Sequence, residues 1–375
     1  MTDQHTPDQQ QTPREVVEAT IAAIGGFDAD ASAAAAGAMD GKVKPLRSLG
    51  ELESIAARVA GIQGTPQPHA DHPAVVVCAA DHGVAASGVS AYPQEVTGLM
   101  LQSFAAGTAA VGVLAREAGV RLLVADLGVL SPPNLPADGN PVLDRRVRAG
   151  TADSMTGPAM TLAEAEQAVA HGVGLANLLI DEGADLIGLG EMGIGNTTTA
   201  AALTAALLDR DPARVTGPGT GVSGEVLAAK VRAVDAILRR HEKENPGARA
   251  DEPWAVLAGM GGLEIAALAG VALGCAARRV PVLLDGFIST AAAVVAWRLA
   301  PRVVDSMIAA TRSTEPGHSV QLEALGLDPI LQLGMRLGEG SAASLAVPIV
   351  RSAVAVLRDM GSFADLGLAE DTPPV

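Results

Sequence analysis

Two glutamates set among glycines are the residues of this chain best placed to do chemistry: Glu191 in Gly188-Leu-Gly-Glu-Met-Gly-Ile-Gly-Asn-Thr-Thr-Thr199 and Glu339 in Met335-Arg-Leu-Gly-Glu-Gly-Ser341. Each follows a mainly apolar segment, and the flanking glycines let backbone approach a small ligand closely. A carboxylate presented in this way is suited to act as an acid or base on a reacting group.

The loop around Glu191 has a second capacity. Gly193 and Gly195 open the backbone, Asn196 and Thr197 to Thr199 add side-chain donors at a helix start, and the free N–H groups with the helix dipole favour an anion such as phosphate. The same Gly-x-Gly-Asn also begins an ordinary capped helix after a tight turn. Another glycine turn, Thr216-Gly-Pro-Gly-Thr-Gly-Val222, runs into a helix carrying Lys230, and Ser313-Thr314 before Glu315-Pro-Gly317 forms a third polar turn. Read singly, Lys230 is a solvated helix lysine and the Ser313 segment a plain surface turn.

These residues need a scaffold, and short β-branched runs alternating with Ala/Leu-rich stretches of helical length supply one. Strands are predicted at Ala74–Cys78, Arg121–Ala125, Ala184–Gly188, Trp254–Leu257 and Val280–Leu284. Such alternation gives an α/β fold, a Rossmann-like parallel sheet covered by helices, with ligand chemistry outside the carboxyl ends of the strands. Asp81-His82-Gly83, Asp126, the Glu191 loop, Gly259-Met-Gly-Gly262 and Asp285-Gly286 would then meet on one rim. Helical stretches at Pro13–Ala23, Leu49–Ala60 and Ser341–Asp359 fall outside the alternation. The division expected is a flexible tail with short helices over 1–40, a small helical domain from 41–66 plus 335–375, and the nucleotide-bearing α/β domain over 67–334.

Composition excludes several classes. The chain has 375 residues, 49% hydrophobic and 18% charged, with a formal net charge of −16, enough for a large core. It shows no basic cluster of the kind a nucleic-acid partner requires. Cys78 and Cys275 both lie in apolar runs and offer neither a disulfide framework nor zinc spacing, so the cytoplasm is the expected location. The start, Met1-Thr-Asp-Gln-His, lacks a signal-peptide pattern. Glu264 and Asp285 interrupt the two most apolar stretches, Leu257–Ala277 and Val280–Ala300, and argue for burial in protein over membrane insertion.

Five ordered blocks carry a family resemblance from about Leu49 to about Leu368: Gly61-Ile-Gln-Gly-Thr-Pro66, Asp81-His-Gly-Val84, Gly190-Glu-Met-Gly-Ile-Gly-Asn-Thr-Thr198, Pro281-Val-Leu-Leu-Asp-Gly-Phe287 and Met335-Arg-Leu-Gly-Glu-Gly-Ser341. The chain resembles the nicotinate-nucleotide:dimethylbenzimidazole phosphoribosyltransferases, which prepare the lower ligand of cobalamin. The resemblance implies phosphoribosyl transfer from nicotinate mononucleotide to 5,6-dimethylbenzimidazole, giving α-ribazole 5′-phosphate and nicotinate, with no cofactor and no metal, in a homodimer. It assigns Glu339 as the base and places Glu191 beside the nucleotide. It gives the 5′-phosphate to Gly193, Asn196, Thr197, Gly219, Lys230 and Ser313, and lines the base slot with Tyr92, Met100, Met192 and Leu337. Tyr92 and Met100 stand where some members carry Ser and Gln, which implies a wider range of azoles.

Other classes remain open to test. A dinucleotide-dependent oxidoreductase would need a Gly-x-Gly-x-x-Gly directly after the first strand, which is lacking. A non-catalytic nucleotide-binding subunit of the same fold fits poorly with retention of both glutamates. A transferase using the pyrophosphate-activated donor would show an acidic pair and a threonine turn after a strand, and no such motif is present.

Overall fold

A computed structural model describes residues 11–135, 139–247 and 250–367; the outer ends of the expected tail and of the C-terminal segment, residues 1–10 and 368–375, lie outside them. Among the described residues six strands form one sheet: β1 (Pro73–Ala80), β2 (Arg121–Gly128), β3 (Val142–Asp144), β4 (Leu186–Met192), β5 (Val282–Leu284) and β6 (Met307–Ala309). Their order is β3-β2-β1-β4-β5-β6 and every neighbouring pair is parallel.

β1 is buried along its whole length, as a strand covered on both faces must be. Its alternate side chains feed two core layers. Val76, Cys78 and Ala80 enter a layer built with α1 (Pro13–Ala22), α6 (Leu162–Asp181), α7 (Asn196–Leu208), α8 (Pro212–Val215), α9 (Gly224–Glu244), α10 (Pro253–Met260), α11 (Leu263–Ala277), α12 (Phe287–Leu299) and α13 (Pro316–Leu325). Val75, Val77 and Ala79 enter the opposite layer with α2 (Ala29–Asp40), α3 (Glu51–Gln63), α4 (Val96–Ala105), α5 (Ala110–Ala118) and α14 (Ser341–Asp359). The expected covered parallel sheet is therefore present. The two apolar stretches considered for a membrane are divided among α10, α11, β5 and α12, with the three helices in the first layer and β5 in the sheet.

Several expected elements change. Trp254–Leu257 is helical, because Pro253 sets the first turn of α10 and a four-residue apolar run does not by itself distinguish a strand from a buried helix. Gly259 and Met260 therefore end α10, Gly261 and Gly262 join it to α11, and the segment is not a strand end. β4 begins two residues later than expected and continues through Met192, so Glu191 sits on the strand itself. Gly190 falls in what was expected to be a loop, but it and Gly188 are strand glycines that admit close neighbours: a Cβ on Gly188 would lie 2.9 Å from Ala343 Cβ. β3 and β6, three residues each, went unpredicted. Residues 11–40 of the expected tail carry two anchored helices: Thr12 and Glu15 form a capping box on α1, and Val17 is fully buried. α2, α3 and α14 pack together, whereas α1 lies on the other layer against α6 and α11.

The helix α11 is buried from Leu263 to Ala276 and crosses α6 at glycine contacts. A Cβ on Gly172 would lie 1.8 Å from Ala267 O, and one on Gly270 would lie 1.9 Å from Val169 O. Because backbone atoms meet there, an added methyl forces the helices apart. Gly270→Ala is expected to cost about 1–3 kcal/mol and to lower the denaturant midpoint; an unchanged midpoint would mean that this contact does not set the α6–α11 distance.

Candidate active site

The chain lays β1, β2 and β3 outward on one side and then β4, β5 and β6 on the other. The crevice beyond the carboxyl ends of β1 and β4 is thus the topological switch point, where open α/β sheets bind ligands. Asp81 and His82 leave β1 there, and Glu191 and Met192 finish β4.

Glu191 is buried, and its Oε2 accepts a hydrogen bond from Asn196 Nδ2 at the start of α7. Burial pushes its carboxyl well above the usual carboxylate range; the negative Asp285, Glu264 and Glu339 push the same way, against the Asn196 hydrogen bond. Beside it, His82 Nε2 lies 2.6 Å from Glu264 Oε1 and His82 Nδ1 lies 3.0 Å from Thr199 Oγ1, all buried. The ring fills the space that Gly193 and Gly262 leave open, and its Cβ lies against Gly195. His82 thus has the hydrogen-bonded, structural setting of a pillar under the glycine loop.

Glu339 approaches from the strap before α14. It has φ 63° between Gly338 at 87° and Gly340 at 83°, three consecutive left-handed residues. A side chain in that region costs about 1–2 kcal/mol, and such strain is held only where neighbours over-determine it. Here a Cβ on Gly190 would lie 2.5 Å from Glu339 O, so the strap rests directly on β4. Ser341 closes the turn by donating from N and Oγ to Gly338 O, at 3.0 and 2.7 Å. The Glu339 carboxyl is buried and its Oε2 has no hydrogen-bond partner among the described residues. Burial raises its pKa, opposed by the Val111 N–H at the start of α5. Glu191 and Glu339 are thus brought to one place, since a Cβ on Gly338 would lie 2.2 Å from Glu191 Oε1.

The glycine turn after α8 adjoins the same helix start. Lys230 on α9 is buried, not solvated, and its Nζ donates to Thr197 Oγ1 at 2.8 Å and Gly217 O at 3.0 Å. With three N–H groups on the ammonium, one is left for a ligand. Burial lowers its pKa to about 8, against the attraction of Glu315. Gly219, at φ 53°, leaves no room for a side chain, because a Cβ would meet Thr197 Oγ1 at 2.6 Å and Lys230 Nζ at 2.8 Å. Thr197, Gly219 and Lys230 therefore meet at the N-terminus of α7, where Asn196 turns to Glu191 and Gly193 lies against His82, while Ser313 joins through Glu315.

Glu315, noted above only as part of the third polar turn, has a role of its own. Its Oε1 accepts the Gly219 N–H at 2.8 Å, and its own N–H donates to Ser313 Oγ at 3.3 Å, so it staples two of the polar turns together. His318, which reads as a surface residue from its turn-like context, is buried: Nδ1 accepts the Ser313 N–H at 2.9 Å and Nε2 lies 3.0 Å from Thr290 Oγ1. Desolvation pushes it down to about 3, so it is a neutral support for the Ser313 turn. Arg336 also belongs here, because its Nη1 donates to Gly219 O at 3.2 Å and ties the Glu339 strap to the glycine turn.

The expected base-binding residues differ in exposure. Tyr92 is 56% and Leu337 55% exposed, and Met100 and Met192 are half-buried. The segment carrying Tyr92 and Met100 touches both halves of the site. Ser90 Oγ and the Ala91 N–H reach Thr220 Oγ1 at 3.4 and 3.1 Å, and Thr97 Oγ1 accepts the Ile194 N–H at 3.1 Å.

With this geometry in place, similarity to known proteins becomes informative. The phosphoribosyltransferase family profile DBI_PRT matches residues 24–368. The chain is 48% identical over 356 residues to the nicotinate-nucleotide–dimethylbenzimidazole phosphoribosyltransferase of Chloroflexus aurantiacus, covering 95% of this chain and 99% of that protein. It is 46% identical over 367 residues to the protein of the same name from Salinispora tropica, covering 95% and 100%. The crystal structure of CobT from Thermus thermophilus superposes with a TM-score of 0.85 at 47% identity, over 91% of this chain and 99% of that one.

Proposed function

Because this chain belongs to the nicotinate-nucleotide–dimethylbenzimidazole phosphoribosyltransferase family, we propose that it transfers phosphoribosyl from nicotinate mononucleotide to 5,6-dimethylbenzimidazole or a related azole. The products are α-ribazole 5′-phosphate and nicotinate. The observation that carries the assignment of roles is the unpartnered, buried Oε2 of Glu339 at the switch point, opposite an anion cradle around Lys230.

The 5′-phosphate sits against the α7 N-terminus, the Gly219 turn and the spare Lys230 N–H, which fixes the ribose over the carboxyl ends of β1 and β4. An azole nitrogen attacks the anomeric carbon while the glycosidic C–N bond breaks and its electron pair returns to the pyridinium ring, so nicotinate leaves neutral at nitrogen and needs no acid. The azole's other N–H gives its proton to Glu339. Burial helps Glu339 in this role, since a carboxylate with a raised pKa is a stronger base. Attack from the face opposite the leaving group inverts the anomeric centre.

Glu191 answers to the donor's charge. Its carboxyl is held toward the neutral form by burial and by Asp285, and an arriving pyridinium cation favours its ionised form. Tyr92, Met100, Met192 and Leu337 offer a mostly apolar slot for a flat heterocycle. The enzyme acts as a cytoplasmic homodimer in this reading, which is supported by the family resemblance and by two cysteines that are both buried free thiols.

The test is product analysis. Enzyme, nicotinate mononucleotide and dimethylbenzimidazole should yield a ribotide whose anomeric proton shows the α configuration by NMR. A β product would refute in-line attack in this geometry. A product formed only from the pyrophosphate-activated donor would refute the donor.

A further inference from the structure

We propose that Asp285 is a positioning residue for the transfer: it caps α14 from the end of β5 and thereby holds the Glu339 strap in its left-handed path. The inference rests on Glu339 being the base.

A helix start leaves its first N–H groups unpaired, and an Asp, Asn, Ser or Thr at the cap position usually satisfies them. At α14 the cap position is Gly340, which has no side chain and makes no side-chain cap bond. It cannot carry one, because its φ is 83° and a Cβ would lie 2.7 Å from Val75 Cγ1. Asp285, 57 residues away directly after β5, takes over: its Oδ1 accepts the N–H of Ala342 at 2.6 Å and of Ala343 at 2.9 Å. Burial raises the Asp285 pKa to about 7, and the Gly340 N–H, with those of Ala343 and Ala342, supports its charge against that. These are the second and third helical residues and the cap itself, the groups a local capping side chain would serve.

The strap's strain makes this borrowed cap consequential. Glu339 is held left-handed between two left-handed glycines, with the β4 backbone beneath and the α14 N-terminus behind. Release of that N-terminus lets the strap relax toward ordinary backbone, and a shift of about 1 Å in a reacting group is enough to cost about a hundredfold in rate. Asp285 does this from the end of β5, a strand paired on both sides and thus a rigid place from which to fix a catalytic loop.

A double-mutant cycle tests it, using the full-length protein, single-turnover product formation from nicotinate mononucleotide and dimethylbenzimidazole, and nucleotide affinity measured separately. Asp285→Asn keeps an oxygen acceptor and loses the charge that strengthens the cap bonds. In otherwise native enzyme it is expected to slow transfer about tenfold, with nucleotide affinity changed less than about threefold. In a Glu339→Gln background the same substitution is expected to change the rate less than about twofold, since a residue acting through Glu339 has nothing left to position. Asp285→Ala, which removes the acceptor, should fall below Asp285→Asn; if the alanine variant does not fold, the asparagine cycle decides alone. Equal slowing in both backgrounds, or no slowing in the native one, overturns the proposal. Near-native turnover by Glu339→Gln alone would instead remove Glu339 as the base, a separate failure.

Discussion

Glu339→Gln is expected to lower turnover by about two to four orders of magnitude while leaving the fold and nucleotide binding close to native. Glutamine keeps the volume of glutamate in a buried position and suits the same left-handed backbone no worse, so the change isolates the loss of a proton acceptor. The pH dependence should change with it. A base must be ionised to act, and burial raises Glu339, so native kcat/KM should climb with pH through a limb above the ordinary carboxylate range. The glutamine variant should lack that limb. A variant with native turnover, or with the limb intact, would assign the base elsewhere; Glu191, the other raised carboxyl in the site, would be examined first.

Lys230→Ala is expected to raise the KM for nicotinate mononucleotide about ten- to a hundredfold, the value of about 1.5–3 kcal/mol for a hydrogen bond to a charged group, with a smaller loss of kcat. Its ammonium is already fixed by Thr197 Oγ1 and Gly217 O, so the remaining N–H is preorganised for phosphate and little rotamer entropy is lost on binding. The sign with pH follows from its lowered pKa. Below about 8 the free enzyme carries the charge, and above it the neutral amine dominates, so the native KM should rise as pH passes about 8. The alanine variant should show no such rise. A KM that is unchanged by the substitution would place the phosphate away from the Gly219 turn.

The backbone frame was legible wherever the signal is local. Ala74-Val-Val-Val-Cys78 reads as a doubly covered strand because five consecutive apolar residues leave no polar face, and Ser341–Asp359 reads as a helix from its periodicity after a glycine stop. Trp254–Leu257 misled because the run is short and the deciding residue, Pro253, lies just outside it. Gly190 of β4 reads as loop because its reason for being glycine is tertiary: the strap presses against it.

The same distinction runs through the site. Glycine-flanked glutamates and glycine turns announce themselves by composition, and the family resemblance joined them into one expectation. Glu315 does not, and Asp285 announces only its place at a strand end and not the helix it holds, because what each holds lies 96 and 57 residues away. His318 sits in a sequence that reads as an exposed turn, and only the packing of α12 against α13 buries it beside Thr290. Residues that position others are the hardest to read from sequence, since their partners are chosen by the fold.

The most direct measurement is chromatographic and mass-spectrometric detection of nicotinate released from nicotinate mononucleotide in EDTA, with dimethylbenzimidazole, benzimidazole and adenine offered separately. Release that depends on an added azole and matches ribotide formation one for one is the expected result, with more than one azole accepted at the slot lined by Tyr92 and Met100. No release with any azole, from protein that still binds the nucleotide, would contradict the transfer and leave a nucleotide-binding subunit in its place.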